Sequence, residues 1–275
     1  PDQKIIFKNN IGIFGFVRLN IIDLSEKSNQ PFLSKNKKIQ VIYNGEIYNY
    51  KSLKKNYFKN SEFKSEGDGE VLVHLYEKYG IKFLDKIKGM FSICIIDENL
   101  KKMYLIRDRF GIKPLYYRYE KKINKLFFCS EIRPLTDTNG FNKKINIGEA
   151  HKFLTQGLVN STNETWFEDI HQVKASHYIE VSNNKISEKK YYQIENFVDE
   201  KKEASFKEEM TKFKDKIQNS FLEHNQFDVK AGIHLSGGVD SAVLAAISNF
   251  NQKSYNSFTF DFDDKKYSEL KYAKL

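Results

Sequence analysis

Apolar and polar positions alternate in short runs through the first two thirds of the chain. Residues 39–43, 91–96, 103–106, 115–119 and 126–129 are apolar or alternating stretches of strand length, separated by turns rich in Asn, Gly and Lys. Val71, Leu72, Leu75, Tyr76 and Tyr79 recur instead at helical spacing behind Gly67-Asp68-Gly69 and predict a helix. Strands with few helices, and no strand–helix–strand repeat, predict an antiparallel-leaning α+β domain over residues 1–195.

The pattern changes after Tyr192. A charged connector occupies 196–205, and then Phe206, Met210, Phe213, Ile217 and Phe221 fall on one face of a long amphipathic helix whose other face is Lys and Glu. Next come a strand at 231–235, a glycine-bearing loop, a helix over 240–249 and a strand over 254–262. Strand, loop, helix, strand is the opening of a parallel α/β domain, assigned to residues 206–275. The chain opens with Pro1-Asp2 in place of Met and stops at Leu275 inside a helix-like pattern. It is therefore expected to be a fragment of a longer protein, lacking both ends.

Composition narrows the classes. A hydrophobic fraction of 40% with 15% aromatic residues excludes a disordered chain. The run from Met90 to Ile96 is too short to cross a bilayer and no signal segment opens the chain, so a cytoplasmic protein without a membrane partner is expected. Lys and Arg number 45 against 36 Asp and Glu, a net charge of +9. The excess is Lys spread through the chain without an Arg stripe or a nucleic-acid module, which favours a solvated basic surface over a nucleic-acid partner. Cys94 and Cys129 lie in apolar strand-like runs without C-x-x-C spacing and read as buried reduced thiols, and the scattered histidines form no zinc motif.

Candidate chemistry begins at 234–245, HLSGGVDSAVLA. At a strand-to-helix turn the first N–H groups of the helix are unpaired and carry the positive end of its dipole, so they attract an anion. Gly237 and Gly238 let the backbone curl around phosphate oxygens, Ser236 and Ser241 add hydroxyls, and Asp240 is a candidate ligand for a magnesium ion shared with the phosphates. No Lys follows the glycines, so the Walker pattern is absent. The plain alternative is a Gly-Gly turn with Asp240 or Ser236 capping a helix. The full string S-G-G-V-D-S resembles the pyrophosphate loop of the ATP pyrophosphatase superfamily. That resemblance implies ATP bound by Leu235, Ser236, Gly237, Gly238, Asp240 and Ser241, with Phe260 in the segment beside the adenine.

NGEIYN at 44–49 follows a strand, and N-G alone signals a hairpin turn. An Asn amide and a Gly N–H at such a turn can also converge on one oxygen, as an oxyanion hole requires. RLNIID at 18–23, Gln30-Pro31, NGEIYN, GDGE at 67–70, GMF at 89–91, RDRFGIKPLYY at 107–117 and CSE at 129–131 stand in a particular order and spacing. In both they resemble the glutaminase domain of glutamine-hydrolysing asparagine synthetases, and with the SGGVDS loop the resemblance runs from end to end. It implies an Ntn-hydrolase-type α+β glutaminase domain of stacked antiparallel sheets with helices, followed by the start of an α/β parallel-sheet ATP pyrophosphatase domain.

The activity implied is that of an ATP-dependent carbon–nitrogen ligase, in which ammonia from glutamine amidates an adenylylated aspartate. Glutamine, ATP and aspartate are then the partners, Mg2+ accompanies ATP, and a homodimer is open for the intact enzyme. By the same resemblance Arg18 clamps the α-carboxylate of glutamine and Asp68 accepts from its α-ammonium. Leu19, Asn20, Ile21 and Ile22 flank the ligand, Asn44 and Gly45 form the oxyanion hole, and Glu46 lies beside the bound amino acid. A helix-capping role for Asp68 is the plain alternative. Arg107, Asp108, Arg109 and Lys113 are read as a charged framework joining the two domains, outside the catalytic set.

The family's nucleophile is a cysteine at the mature N-terminus, and no residue of this sequence plays that part. Pro1-Asp2 matches a segment downstream of it. Two explanations stand: a parent chain that begins Met-Cys, which is favoured, or a protein that has lost glutaminase activity. The chain as given is expected to hydrolyse no glutamine. Tyr267-Ser268-Glu269-Leu270-Lys271-Tyr272-Ala273 resembles the family's Y-D-E-x-x-Y-A segment with Ser268 where Asp is usual. Rival readings are a same-architecture amidotransferase acting on another carboxylate, and a non-catalytic glutamine-binding descendant.

Overall fold

The computed structural model describes residues 2–58, 63–159, 162–182, 185–198, 205–250, 255–264 and 266–274. The chain divides into two compact units, Pro1–Asp199 and Glu200–Leu275. In chain order the first holds β1 (Gln3–Lys8), β2 (Ile13–Arg18), β3 (Phe32–Leu33), β4 (Ile39–Ile47), α1 (Tyr50–Tyr57), α2 (Glu70–Tyr79), β5 (Gly89–Asp97) and β6 (Lys102–Arg107). It continues with β7 (Tyr116–Glu120), β8 (Lys125–Cys129), the single turn α3 (Arg133–Thr136), α4 (Ile147–Gln156), β9 (His171–Gln172), β10 (His177–Ser182) and β11 (Lys185–Lys190).

A six-stranded sheet, ordered β11-β10-β6-β5-β4-β3 and antiparallel throughout, forms its middle layer. The alternation read from the sequence explains why both faces are covered, since successive side chains of a strand point to opposite sides. Val41 and Tyr43 of β4, Ile93 and Ile95 of β5, and Tyr104 and Ile106 of β6 turn one way. There they pack with Leu53 of α1 and with Leu72, Leu75 and Tyr76 of α2. Ile42, Cys94, Ile96, Met103 and Leu105 turn the other way and meet Phe14 of β2, Leu115, and Leu126 and Phe128 of β8. Phe14 belongs to the β1-β2 pair and Leu126 and Phe128 to the β8-β7-β9 sheet, which lie against the second face, and Leu115 stands just ahead of β7. The stacked antiparallel sheets with helices expected of the glutaminase-type fold are what the first unit shows.

Two readings from pattern alone change. Asn44-Gly45 makes no hairpin turn: β4 runs straight through Asn44, Gly45, Glu46 and Ile47, which pair with Ser92, Phe91, Met90 and Gly89 of β5. RDRFGIKP is a framework, as its charges suggested, but the partners seen for it lie within the first unit. The fully buried Asp108 carboxylate accepts from the N–H groups of Phe91, Phe110, Ile112 and Lys113 at 2.9–3.2 Å. Arg107 donates to the carbonyls of Lys113, Val173 and Gly111. Arg109 donates to Ile87 O and lies over the Tyr192 ring.

In the second unit α5 (Phe206–His224) begins at a capping box, in which Ser205 Oγ accepts from Glu208 N and the Glu208 carboxylate accepts from Ser205 N. The strand β12 (Gly232–His234), the helix α6 (Val239–Phe250) and the strand β13 (Asn256–Phe258) follow, and β12 and β13 pair in parallel. The strand expected over 254–262 is thus shorter, with residue 254 outside the described residues. A short helix, α7 (Leu270–Ala273), ends the unit. Among the described residues no helix is long and apolar enough to cross a membrane.

Asp108→Ala will strand buried N–H donors and lower the unfolding free energy by roughly 3 kcal/mol or more, read from urea denaturation. Burial pushes the Glu70 carboxyl up, yet the His74 ring 3.8 Å away and hydrogen bonds from the Lys64 and Ser65 amides and the Ser65 hydroxyl outweigh it and bring its pKa down to about 2. Between that value and the ordinary 4.5 the unfolded chain binds the extra proton. Stability from Glu70 is therefore full above 4.5 and lost as pH falls toward 2. Glu70→Gln will flatten that part of the stability–pH curve, measured by denaturation across the same window.

Candidate functional site

The end of the β4–β5 pair is shaped by two glycines, each facing the backbone of the other's strand. A Cβ on Gly45 would lie 2.0 Å from Met90 O, and one on Gly89 would lie 2.1 Å from Glu46 O. Gly45 also sits at φ 149°, where side-chain-bearing residues are rare. This close approach keeps the strands paired to their ends and presents Asn44, Gly45 and Glu46 along one wall of a cleft of about 1140 Å³.

The opposite wall comes from the chain leaving β2. Arg18, almost fully buried, donates through Nη1 to Ser25 O and Asn29 Oδ1, and through Nη2 to Ile22 O and Asp23 O. Asp23 holds the same loop from the other side. Its carboxylate accepts from the Ser25 amide and hydroxyl, the Ser28 hydroxyl and the Glu66 amide. Burial raises its pKa, but these donors outweigh burial and hold it well below the usual carboxylate range. Glu66 leads into Gly67, where a Cβ would meet Ser28 Oγ at 2.4 Å, so loop and cleft floor interlock.

Asp68 lies on that floor, 5% exposed. It caps nothing in α2, whose N-cap is Gly69. Its Oδ2 accepts from Ile47 N at 2.8 Å and its Oδ1 from the Tyr43 hydroxyl at 2.5 Å. Burial raises its pKa, opposed by those two donors and by the Lys54 charge. Tyr43 is raised in turn, by burial and by Asp68.

Eight of the nine residues expected to hold glutamine line this one cleft: Arg18, Leu19, Ile21, Ile22, Asn44, Gly45, Glu46 and Asp68. Asn20 does not. Its amide donates to Leu24 O and its backbone N–H to Asp2, while its Oδ1 is buried without a partner. Both Arg18 terminal nitrogens are committed to protein oxygens, so its bidentate geometry here organises the 22–29 loop. The reading of single residues missed Gln30, Tyr43, Lys113, Ser130 and Glu131, which share the cleft. Gln30, Lys113, Ser130 and Glu131 all fall in motifs already singled out, whereas Tyr43 reads as one more apolar strand position. Asn44 Nδ2 reaches Ser130 Oγ at 3.4 Å. The cysteines divide: Cys94 is buried, its thiol pKa pushed far up by burial. Cys129, expected to be buried, is half-buried at the end of β8, where it borders the cleft.

In the second unit Gly237 takes φ 81° and Gly238 leads into α6. Ser236 Oγ and Ser241 Oγ stand 3.2 Å apart, Ser236 Oγ accepts from Gly238 N, and Ser241 Oγ donates to Gly238 O. Asp240 is exposed in the first turn of α6. Leu235 N donates to Phe258 O, and Phe260 is exposed beside Phe262. A Cβ on Gly237 would lie 2.7 Å from Tyr272 Cβ, so the Tyr267–Ala273 segment packs against this loop. Clustered hydroxyls, a glycine pair and the start of a twelve-residue helix fit a phosphate group. Among the described residues no three His, Cys, Asp or Glu side chains gather as a metal site. A magnesium ion would thus need Asp240 together with phosphate oxygens.

Each of the two units also matches a known family in its sequence. Residues 1–192 match the family model described as glutamine amidotransferase domain, and residues 212–275 match the one described as asparagine synthase. The first unit is therefore a glutamine amidotransferase domain. With the second match behind it, the chain belongs to the glutamine-hydrolysing asparagine synthetase family. Asparagine synthetase [glutamine-hydrolyzing] 2 of Bacillus subtilis is 36% identical, over 97% of this chain and 37% of its own length. Amidase chry2 of Gibberella zeae is 30% identical, over 87% of this chain and 35% of its own. Among solved structures, the glutamine phosphoribosylpyrophosphate amidotransferase of B. subtilis complexed with ADP and GMP is 19% identical. It aligns with a TM-score of 0.46 over 90% of this chain and 51% of that one. The chain thus spans a little over a third of the length of these two curated relatives.

Gly45→Ala will force the β4 and β5 ends apart and lower stability by roughly 2 kcal/mol or more. Gly157→Ala, at φ 67° and ψ 13° with open space around it, will lose only about 1 kcal/mol. Urea denaturation of the two variants side by side checks the difference.

Proposed function

We propose that the protein takes part in glutamine-dependent amidation of a carboxylate, with aspartate as the acceptor and ATP as the activating substrate. The observation that carries this reading is the pairing, in one chain, of a cleft gathering Arg18, Asn44, Gly45, Glu46 and Asp68 with a Gly-Ser loop opening α6. In the cleft, Asp68 accepts from the α-ammonium of glutamine and Arg18 serves its α-carboxylate, exchanging part of its present loop contacts. The Asn44 amide and the Gly45 N–H receive the oxyanion as the side-chain amide is cleaved. At the loop, Ser236, Ser241 and the first amides of α6 hold the phosphates of ATP, and Asp240 would hold the accompanying Mg2+, which would offset their charge. Adenylylation of the acceptor releases pyrophosphate, and ammonia then displaces AMP to leave the amide.

A second reading, in which the acceptor is a different carboxylate, is favoured by the 30% identity to a protein named an amidase. Assay of the full-length protein with ATP, Mg2+, glutamine and aspartate is expected to yield asparagine, glutamate, AMP and pyrophosphate. ATP–pyrophosphate exchange that proceeds without aspartate overturns the aspartate assignment. Ser241→Ala is expected to lower that exchange about tenfold while glutamate binding stays as in the wild type.

A further inference from the structure

We propose that Tyr43 is a positioning residue, which through its hydroxyl holds Asp68 in the orientation and charge state that receive an α-ammonium group. The inference rests on the glutamine reading of the cleft and adds to it a residue that reading does not contain.

Three observations carry it. The Tyr43 hydroxyl donates to Asp68 Oδ1 at 2.5 Å, while Ile47 N occupies Oδ2 at 2.8 Å. The carboxylate is thus fixed from two sides before any ligand arrives. Tyr43 is itself held at its backbone: Gln30 Oε1 accepts from Tyr43 N at 2.7 Å and Gln30 Nε2 donates to Tyr43 O at 3.0 Å. The Gln30 side chain therefore behaves as an extra strand segment beside β4. Gln30 is tied in the same manner to Gln3, whose amide donates to Gln30 O and accepts from Gln30 N. Gln3 is the register partner of Arg18 in the β1–β2 pair. A continuous line of hydrogen bonds thus runs from the strand pair bearing Arg18 to the carboxylate of Asp68. Finally the Tyr43 ring is confined, because a Cβ on Gly69 would lie 2.4 Å from it and 2.3 Å from the Phe32 ring.

The chemistry follows from burial. A carboxyl this enclosed tends to keep its proton, and a protonated carboxyl gives up its attraction for an ammonium. The phenol favours the ionised form by donating to it and keeps its own proton, because burial and Asp68 raise Tyr43 in turn. Lys54 on α1 acts in the same direction as the phenol. The remaining charges around this pair are Arg18 from β2 and Glu46 from β4, which act on Tyr43, with Asp23, Glu66 and Glu70 acting on Lys54.

The test compares wild type, Tyr43→Phe and Asp68→Asn in the full-length protein. Binding of L-glutamate is titrated calorimetrically between about pH 5 and pH 8; this ligand has the α-ammonium and α-carboxylate of glutamine and is not hydrolysed. Tyr43→Phe is expected to weaken binding about tenfold. The loss should grow toward low pH, since without the phenol Asp68 takes up its proton at higher pH. An equal loss at every pH marks a packing effect and overturns the inference, as does no loss. If Asp68→Asn binds as the wild type does, the reading of Asp68 as the ammonium acceptor fails first. If Asp68→Asn loses binding while Tyr43→Phe keeps it, only the role of Tyr43 fails. Should Tyr43→Phe not fold, the downfield hydroxyl proton of Tyr43 in wild type gives a second readout. Its resonance must move when glutamate is added, and a fixed resonance overturns the inference.

Discussion

The first unit depends on a sheet whose central strands have no wet face. The central strand β5 is buried on both sides from Phe91 to Asp97, so neither of its surfaces can be left to water. Helices α1 and α2 close one side, and the β1-β2 and β8-β7-β9 strands close the other. Because two separate small sheets, rather than one continuous one, lie on the second face, a gap remains beside the end of β4. The cleft opens there. Its position follows from how the hydrophobic surface of β5 is covered, and its lining follows from what the neighbouring loops carry.

The loops are fixed by carboxylates that bind backbone amides more than they bind cations. Asp108 ties the RDRFGIKP segment to Phe91, the residue opposite Gly45. Asp23 ties the segment after β2 to the start of the GDGE segment. Glu70 ties α2 to Lys64 and Ser65. An ionised carboxylate accepts several N–H bonds at once and so closes a turn that few neutral side chains can. Arg18 and Arg107 do the reverse with carbonyls. Much of the charge that looks like an anion-binding constellation in the sequence is thereby spent on holding main chain.

What was legible in the sequence follows the strength of local patterning. The runs at 91–96 and 103–106 are apolar on both faces and leave little choice but buried strands, and both appear as such. The helix after Gly69 and the strand–loop–helix opening of the second unit were equally plain. The hairpin of β1 and β2, the helix α4 and the strands β10 and β11 were not: their exposed faces blur the alternation. Ile6, Ile13 and Val17 are outward-facing, so an apolar count misleads there. Asn44-Gly45 shows a tertiary override of a turn signal: the strand continues because Gly45 and Gly89 permit a close approach that only a cross-strand partner can reveal. In the cleft, motif residues were readable because their order and spacing resemble those of a known family, and folding gathers them on one cleft. Tyr43 was not, since its hydroxyl matters only once folding brings Asp68 to it.

The two cysteines give the molecule a built-in chemical handle. Cys94 is sealed within the core between the sheets, and burial keeps its thiol protonated, so it is closed to alkylating reagents while the fold holds. Cys129 lies half-buried on the rim of the cleft, next to Ser130 and Glu131. A thiol-specific label on Cys129 therefore reports from the mouth of the cleft. Protection of that sulfur by a small molecule gives a footprint of occupancy that needs neither turnover nor mutation.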